Sequence, residues 1–108
     1  MYGLSEKTIQ TIHRLLRSYP VVEKAILYGS RAMGTYRPGS DIDLTLVGER
    51  LDLTVLQKIE NELDDLLLPY KIDISIMRQI GNADLLEHIH HVGIVFFEKD
   101  QVHHENPS

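Results

Sequence analysis

Hydrophobic and polar residues recur along this chain with two periods, which together predict a mixture of helices and strands. Apolar residues at helical spacing predict a helix that begins after Ser5 and ends before Pro20, a second helix over 52–67 and a short third helix after Asn82. The glycine-containing segment 29–40 is predicted to be a loop. Alternating or continuous apolar runs predict four strands, over 21–28, 41–47, 70–77 and 93–98.

This order of elements predicts the α/β class. A helix lies between the second and third strands, so we expect those strands to be parallel and joined by a right-handed crossover. The length of 108 residues suits one domain with a single hydrophobic core. We expect that domain to cover residues 1–99 and to be followed by a polar, flexible tail at 100–108.

The composition excludes several classes of protein. Hydrophobic residues make up 43% of the chain and charged residues 25%, which is typical of a folded domain. No apolar run approaches the roughly 18 residues of a membrane helix, and residues 1–7 lack the apolar segment of a signal peptide. The net charge of -5 argues against non-specific nucleic-acid binding, which depends on Lys and Arg. Without an apolar run of membrane length we expect no membrane partner, and the absence of cysteine fits a protein of the reducing cytoplasm.

Three aspartates occupy matching positions on two predicted strands. Asp41 and Asp43 are two residues apart and therefore share one face of their strand, about 6.6 Å apart along it. Asp73 has the same phase on the next strand, so the three carboxylates should converge if the strands are neighbours. A single aspartate there would more often be a solvent-facing strand residue. Three in phase favour a site for two divalent ions, and carboxylate oxygens suit Mg²⁺, with Mn²⁺ as the alternative.

A glycine and a serine follow the first predicted strand directly. Gly29 allows a tight turn and a close approach of phosphate oxygens to the backbone, and the Ser30 hydroxyl can donate to a phosphate. Arg31 could stabilise the charge that develops on the transferred phosphoryl group. For Gly-Ser alone a plain turn is the simpler interpretation, but its spacing to the paired aspartates favours a phosphate site. The loop does not match the Walker pattern.

These motifs resemble those of the DNA polymerase β-like nucleotidyltransferase superfamily, and among its members the minimal, MntA-type nucleotidyltransferases that are often encoded beside a HEPN-domain partner. The residues that carry the resemblance are Gly29-Ser30-Arg31-Ala32, Ser40-Asp41-Ile42-Asp43-Leu44 and Ile72-Asp73-Ile74. The resemblance implies a nucleotidyltransferase fold, with a mixed, mainly four-stranded sheet and helices packed on one face. It also implies that Gly29 and Ser30 hold the triphosphate, that Asp41 and Asp43 bind both metal ions, and that Asp73 completes one metal site and faces the acceptor hydroxyl.

The resemblance further implies transfer of a nucleoside monophosphate, AMP from ATP, to a tyrosine of a HEPN toxin, with this chain as the antitoxin. The first alternative is a binding module that neutralises a helical partner by contact, with nucleotide binding regulatory or vestigial. The second is modification of a small molecule such as an antibiotic. The sequence is compatible with either a homo-oligomer or a hetero-oligomer.

Histidines near the C-terminal end raise the question of a second metal site. Asp84, His88 and His91 share one face of the predicted third helix. Neither a fourth ligand nor an HExxH pattern supports zinc there, so a polar outer face is the simpler interpretation. Tyr36, inside the loop, suits either contact with a nucleotide base or a place on the loop surface.

Overall fold

A four-stranded mixed sheet organises residues 1–99, which are the residues that the computed structural model describes. The predicted tail at 100–108 lies outside the described residues. The elements in chain order are α1 (Glu6–Arg17), β1 (Lys24–Tyr28), α2 (Ser30–Met33), β2 (Ile42–Val47), α3 (Leu53–Asp65), β3 (Ile72–Ile76), a short 3₁₀ turn (Met77–Gln79), α4 (Ala83–Val92) and β4 (Ile94–Glu98).

The strands are arranged in the order β3-β2-β1-β4. β1 is antiparallel to both of its neighbours, whereas β2 and β3 are parallel, which confirms the prediction made from the intervening helix. The handedness of that crossover stays a prediction. The register pairs Asp43 with Tyr28 on one side and with Asp73 on the other. Three side chains from three strands therefore lie in one row across the sheet.

The hydrophobic core lies on the face of the sheet that is turned away from this row. Ile42, Leu44 and Leu46 alternate with the polar residues of β2 and are fully buried. Ile12 of α1 and Ile59 of α3 are also fully buried in the same cluster. The two long helices thus cover one face of the sheet, as the predicted architecture requires.

The short helix α4 packs against the other face, on β1. Gly93, at the C-terminal end of α4, lies so close to Ile26 that a Cβ there would contact its methyl group. Ile26 alternates with the core residues Ala25 and Leu27, so it projects from the opposite face of β1. The expectation of helices on one face therefore holds for α1 and α3, and α4 adds partial cover on the second face.

Polar caps define where the helices begin. Ser5 accepts the Thr8 N–H at 3.1 Å at the start of α1, and Asn82 accepts the Leu85 N–H at 3.0 Å at the start of α4. Each cap satisfies an amide that has no partner within its helix. None of the helices within residues 1–99 is long and apolar enough to cross a membrane.

Candidate active site

Three carboxylates meet at the N-terminal ends of β2 and β3. Asp43 and Asp73 are directly paired across the parallel strands, and Asp41 precedes β2 by one residue. One carboxylate oxygen from each of the three lies within 4.8 Å of the other two. The strand phase read from the sequence thus places these side chains correctly. They form the only such cluster of candidate metal ligands within residues 1–99.

The charges in this cluster are poorly compensated. Burial raises the pKa of Asp43, and the nearby Asp73 and Asp41 carboxylates raise this pKa further. Lys71 Nζ lies 3.9 Å from Asp73 Oδ1, but the Lys71 side chain is largely exposed and that of Asp73 is half-exposed, and such ion pairs contribute little. The repulsion within the cluster favours a bound cation, and an all-oxygen set of ligands suits a hard divalent ion such as Mg²⁺.

Neutral polar side chains extend the site along the same face of the sheet. Tyr28 lies beside Asp43 in the register, and burial, followed by the Asp43 charge, raises the pKa of its hydroxyl. One step farther along the strands, the Ser75 hydroxyl donates to Thr45 Oγ1 at 2.9 Å. These hydroxyl side chains are uncharged at neutral pH, so they do not offset the charge of the carboxylates.

The Gly29-Ser30 turn follows β1 and lies against the carboxylates. Gly29 has a φ of +77°, which a residue with a side chain rarely adopts. A Cβ at this position would collide with the Asp43 carboxylate. The turn therefore needs glycine both for its backbone conformation and for its closeness to Asp43. Ser30 is the first residue of α2 and is partly exposed.

Replacing Gly29 by alanine is expected to destabilise the protein more than the same change at Gly34. Gly34 has the left-handed conformation, which costs an alanine about 1–2 kcal/mol, whereas the backbone of Gly29 (φ +77°, ψ −158°) lies in a region that is essentially restricted to glycine. At Gly34 no atom lies within 4 Å of the added Cβ, whereas at Gly29 the added Cβ also displaces Asp43. Urea unfolding should show the larger loss for Gly29→Ala. Equal losses for the two variants would show that Asp43 and the turn are not in close contact.

Arg31 is placed differently from the expectation that it contacts the nucleotide. Its side chain is 2% exposed, and its guanidinium donates to the carbonyl oxygens of Tyr2, Pro38 and Ser40. The Arg31 Cζ also lies 4.9 Å from the ring centroid of Tyr70. These contacts use the guanidinium within the protein. Arg31 therefore holds the loop that leads to Asp41, and its contact with a nucleotide stays a prediction.

A histidine that the sequence interpretation placed on an outer face belongs to this site. His88 Nε2 accepts the Gly29 N–H at 3.1 Å, and its ring meets the Tyr28 ring edge-on at 6.1 Å between centroids. By contrast, His91 is exposed and pairs only with Glu87 at 3.7 Å. The pattern of α4 shows that His88 shares a face with Asp84, but no sequence signal shows that this position turns toward the sheet.

The match to a family model and the match to solved structures agree with this geometry. The model of the family described as "Polymerase beta, Nucleotidyltransferase" matches residues 10–102. No curated protein sequence matches the chain. A chain from a toxin-antitoxin structure determined with AMP-PNP superimposes with a TM-score of 0.68, at 24% identity over 86% of this chain and 75% of that chain.

Two further solved structures share the fold. A chain of the toxin-antitoxin MntA-HepT gives a TM-score of 0.64 at 20% identity, over 88% of this chain and 74% of that chain. A chain from the tri-AMPylated Shewanella oneidensis HEPN toxin in complex with MNT antitoxin gives 0.60 at 20% identity, over 92% and 74%. The matching family model covers most of the residues, including all those of the site, and this chain therefore belongs to the polymerase β nucleotidyltransferase family.

Proposed function

We propose that this chain transfers AMP from ATP to a tyrosine hydroxyl of a HEPN-family protein and thereby acts as an antitoxin. The observation that carries the proposal is the convergence of Asp41, Asp43 and Asp73 beside the Gly29-Ser30 turn. Family membership supports nucleotidyl transfer as the reaction. The nature of the acceptor is supported by the structural similarity to toxin-antitoxin proteins, one of them with an AMPylated HEPN toxin.

Asp41, Asp43 and Asp73 would hold two divalent ions, Mg²⁺ or Mn²⁺, through their carboxylate oxygens. Such ions supply positive charge for the triphosphate and for the pyrophosphate that leaves. The fit rests on the convergence of three carboxylates, since one oxygen from each lies within 4.8 Å of the other two. Ser30, which follows Gly29 directly, would donate a hydrogen bond from its hydroxyl to a phosphate oxygen.

The remaining step is proton removal from the acceptor. The acceptor oxygen forms a bond to the α-phosphorus of ATP, and the bond from that phosphorus to the bridging oxygen breaks to release pyrophosphate. The hydroxyl proton passes to Asp73, whose side chain is half-exposed. This assignment makes Asp73 the general base and leaves Asp43 as the more enclosed ligand.

The alternative of a contact-only binding module accounts less well for the site. A surface that only binds a partner gains nothing from three mutually repelling carboxylates and a glycine turn packed against one of them. Modification of a small molecule would need the same site but a different acceptor. The cytoplasmic location and the oligomeric state stay predictions.

The test is incubation of the protein with ATP labelled at the α-phosphate, Mg²⁺ and a purified HEPN-family protein from the same genome. We expect label on a tyrosine of the HEPN protein, release of pyrophosphate, and loss of both with the Asp43→Asn variant. A tight complex without label would support the binding module. Pyrophosphate release that depends on an added small hydroxyl compound, and not on the HEPN protein, would support the small-molecule reaction.

A further inference from the structure

The α4 helix is connected to the glycine turn by one side chain, His88. The residues that share this hydrogen bond are 59 positions apart in the chain, so the contact ties two separate parts of the fold together. The His88 side chain is partly buried, and it packs edge-on against the Tyr28 ring. Tyr28 is the last residue of β1 and precedes Gly29 directly.

The chemistry of this hydrogen bond fixes the state of the His88 ring. A backbone N–H can only donate, so His88 Nε2 must be the acceptor and must carry no proton. The ring proton therefore resides on Nδ1, in the neutral tautomer. His88 thus contributes a lone pair to the turn rather than a positive charge to the phosphates.

The same contact also decides which way Gly29 presents itself. Its N–H donates to His88 of α4, whereas the position that a Cβ would occupy faces the Asp43 carboxylate. The hydrogen bond therefore holds the turn with Gly29 close to the three carboxylates. The Gly29 amide is already paired with the protein, so it is not a free donor for a phosphate oxygen.

The α4 helix is held in place at both of its ends, so it can position the His88 side chain. Asn82 caps its first turn, and Ile89, next to His88, is 3% exposed. At its C-terminal end, Gly93 fits closely against the Ile89 carbonyl and the Ile26 side chain. Because both ends of the helix are fixed, the position of the His88 ring is set by packing.

We propose that His88 is a positioning residue for nucleotide binding, which holds the Gly29-Ser30 turn against Asp43 by accepting the Gly29 N–H. This proposal rests on the proposed function, since it assigns the turn to the triphosphate. It also assigns different roles to the two residues of the turn. Gly29 provides shape and closeness to the carboxylates, and Ser30 provides the hydroxyl donor.

The first test measures the hydrogen bond itself and needs no activity. In ¹⁵N-labelled protein, the Gly29 amide should exchange slowly with solvent, and His88 should carry its proton on Nδ1. Substitution His88→Ala should accelerate exchange at Gly29, whereas His91→Ala, an exposed change on the same helix, should leave it unchanged. Rapid exchange at Gly29 in the unaltered protein, or no change in His88→Ala, would overturn the proposal.

The second test measures nucleotide binding to the same variants with a non-hydrolysable ATP analogue and Mg²⁺. We expect His88→Ala to weaken binding about tenfold, as loss of a supporting hydrogen bond around a ligand site does. Substitution His88→Gln should restore most of the affinity, since the glutamine side-chain oxygen can accept the Gly29 N–H. Melting curves will establish that each variant is folded.

The outcomes separate the two proposals. Equal weakening in the Ala and Gln variants, or a Gly29 N–H that leaves His88 when the analogue binds, would overturn the role of His88. A protected Gly29 amide in a protein that binds no nucleotide would instead contradict the proposed function and would remove the nucleotide-positioning role with it, while the hydrogen bond would remain.

Discussion

Substitution Asp43→Asn is expected to remove nucleotidyl transfer and, in the absence of divalent ions, to stabilise the protein. The amide keeps the size of the side chain but removes one of three converging carboxylates. Changes to groups that merely support metal ligands cost about 10–100-fold in affinity or activity, so the loss of a direct ligand should exceed 100-fold. The labelled-ATP assay measures this loss.

Whereas Asp43→Asn should lower the activity, it should raise the stability of the metal-free protein, and this gain depends on pH. Burial and the neighbouring carboxylates raise the pKa of Asp43 above 3.8, so the folded state disfavours the ionised form. A carboxyl group with a raised pKa in the folded state stabilises folding at low pH, and that contribution is lost as the pH rises through the folded-state pKa. Asparagine cannot ionise, so the variant escapes this loss.

At pH 7 the metal-free Asp43→Asn variant should therefore be more stable by about 0.5 kcal/mol, a value discounted for solvent screening. For a domain of this size that corresponds to roughly 2–4 °C in the melting temperature. The gain should disappear below pH 3.8, and Mg²⁺ should raise the melting temperature of the unaltered protein more than that of the variant. Substitution Glu60→Gln, at an exposed position within α3, is the control. A variant that is destabilised at pH 7 would contradict the repulsion described for this site.

The carboxylate cluster could be predicted because two local rules determine it. Side chains in strands alternate between faces, and a helix between two strands makes them parallel; the carboxylates converge if those strands are also neighbours, as β2 and β3 are. Asp43 and Asp73 share the same phase relative to their buried isoleucine and leucine neighbours, so they had to lie on one face. The closeness of Gly29 to Asp43 follows from the antiparallel pairing of β1 with β2.

The rest of the site depends on how elements pack, which local patterns do not encode. Helical spacing groups His88 with Asp84 and His91, but the side of α4 that meets the sheet is set by Ile89 and Gly93 packing on β1. The place of Arg31 depends on the path of the loop after α2 and on carbonyl groups far apart in the sequence. Its position next to Gly29-Ser30 suggested contact with phosphate, and tertiary packing gave it another partner.

Removal of the Arg31 guanidinium is expected to cost the fold more than any surface substitution. The guanidinium makes a two-pronged contact with the Ser40 carbonyl, at 3.2 Å from Nε and 2.9 Å from Nη2, and reaches the Tyr2 carbonyl at 3.0 Å. It also lies over the rings of Tyr36 and Tyr70, at 5.4 and 4.9 Å from their centroids. Within residues 1–99 no carboxylate forms an ion pair with it, so backbone carbonyls and ring faces hold its charge.

Substitution Arg31→Met should therefore lower the free energy of unfolding by about 3 kcal/mol, because it leaves several carbonyl oxygens without a donor. Substitution Arg31→Lys should lose about 1–2 kcal/mol, since an ammonium group lacks the planar fork that reaches two carbonyls at once. Urea unfolding measures both losses. Arg37→Met, an exposed change in the same loop, should lie within about 0.5 kcal/mol of the unaltered protein.

The Arg31 variants should also affect the active site, through the loop. Ser40 directly precedes Asp41. The hydrogen bonds from Arg31 to the Ser40 carbonyl therefore restrain the position of the Asp41 carboxylate. In Arg31→Lys, which should remain folded, we expect weaker Mg²⁺-dependent stabilisation and faster proteolysis within residues 34–40. If Arg31→Lys kept full stability and its response to Mg²⁺ but lost affinity for the ATP analogue, Arg31 would contact the nucleotide, as its position beside the turn first suggested. The buried geometry of the guanidinium leads us to expect the opposite, a loss of loop order with little change in direct nucleotide contact.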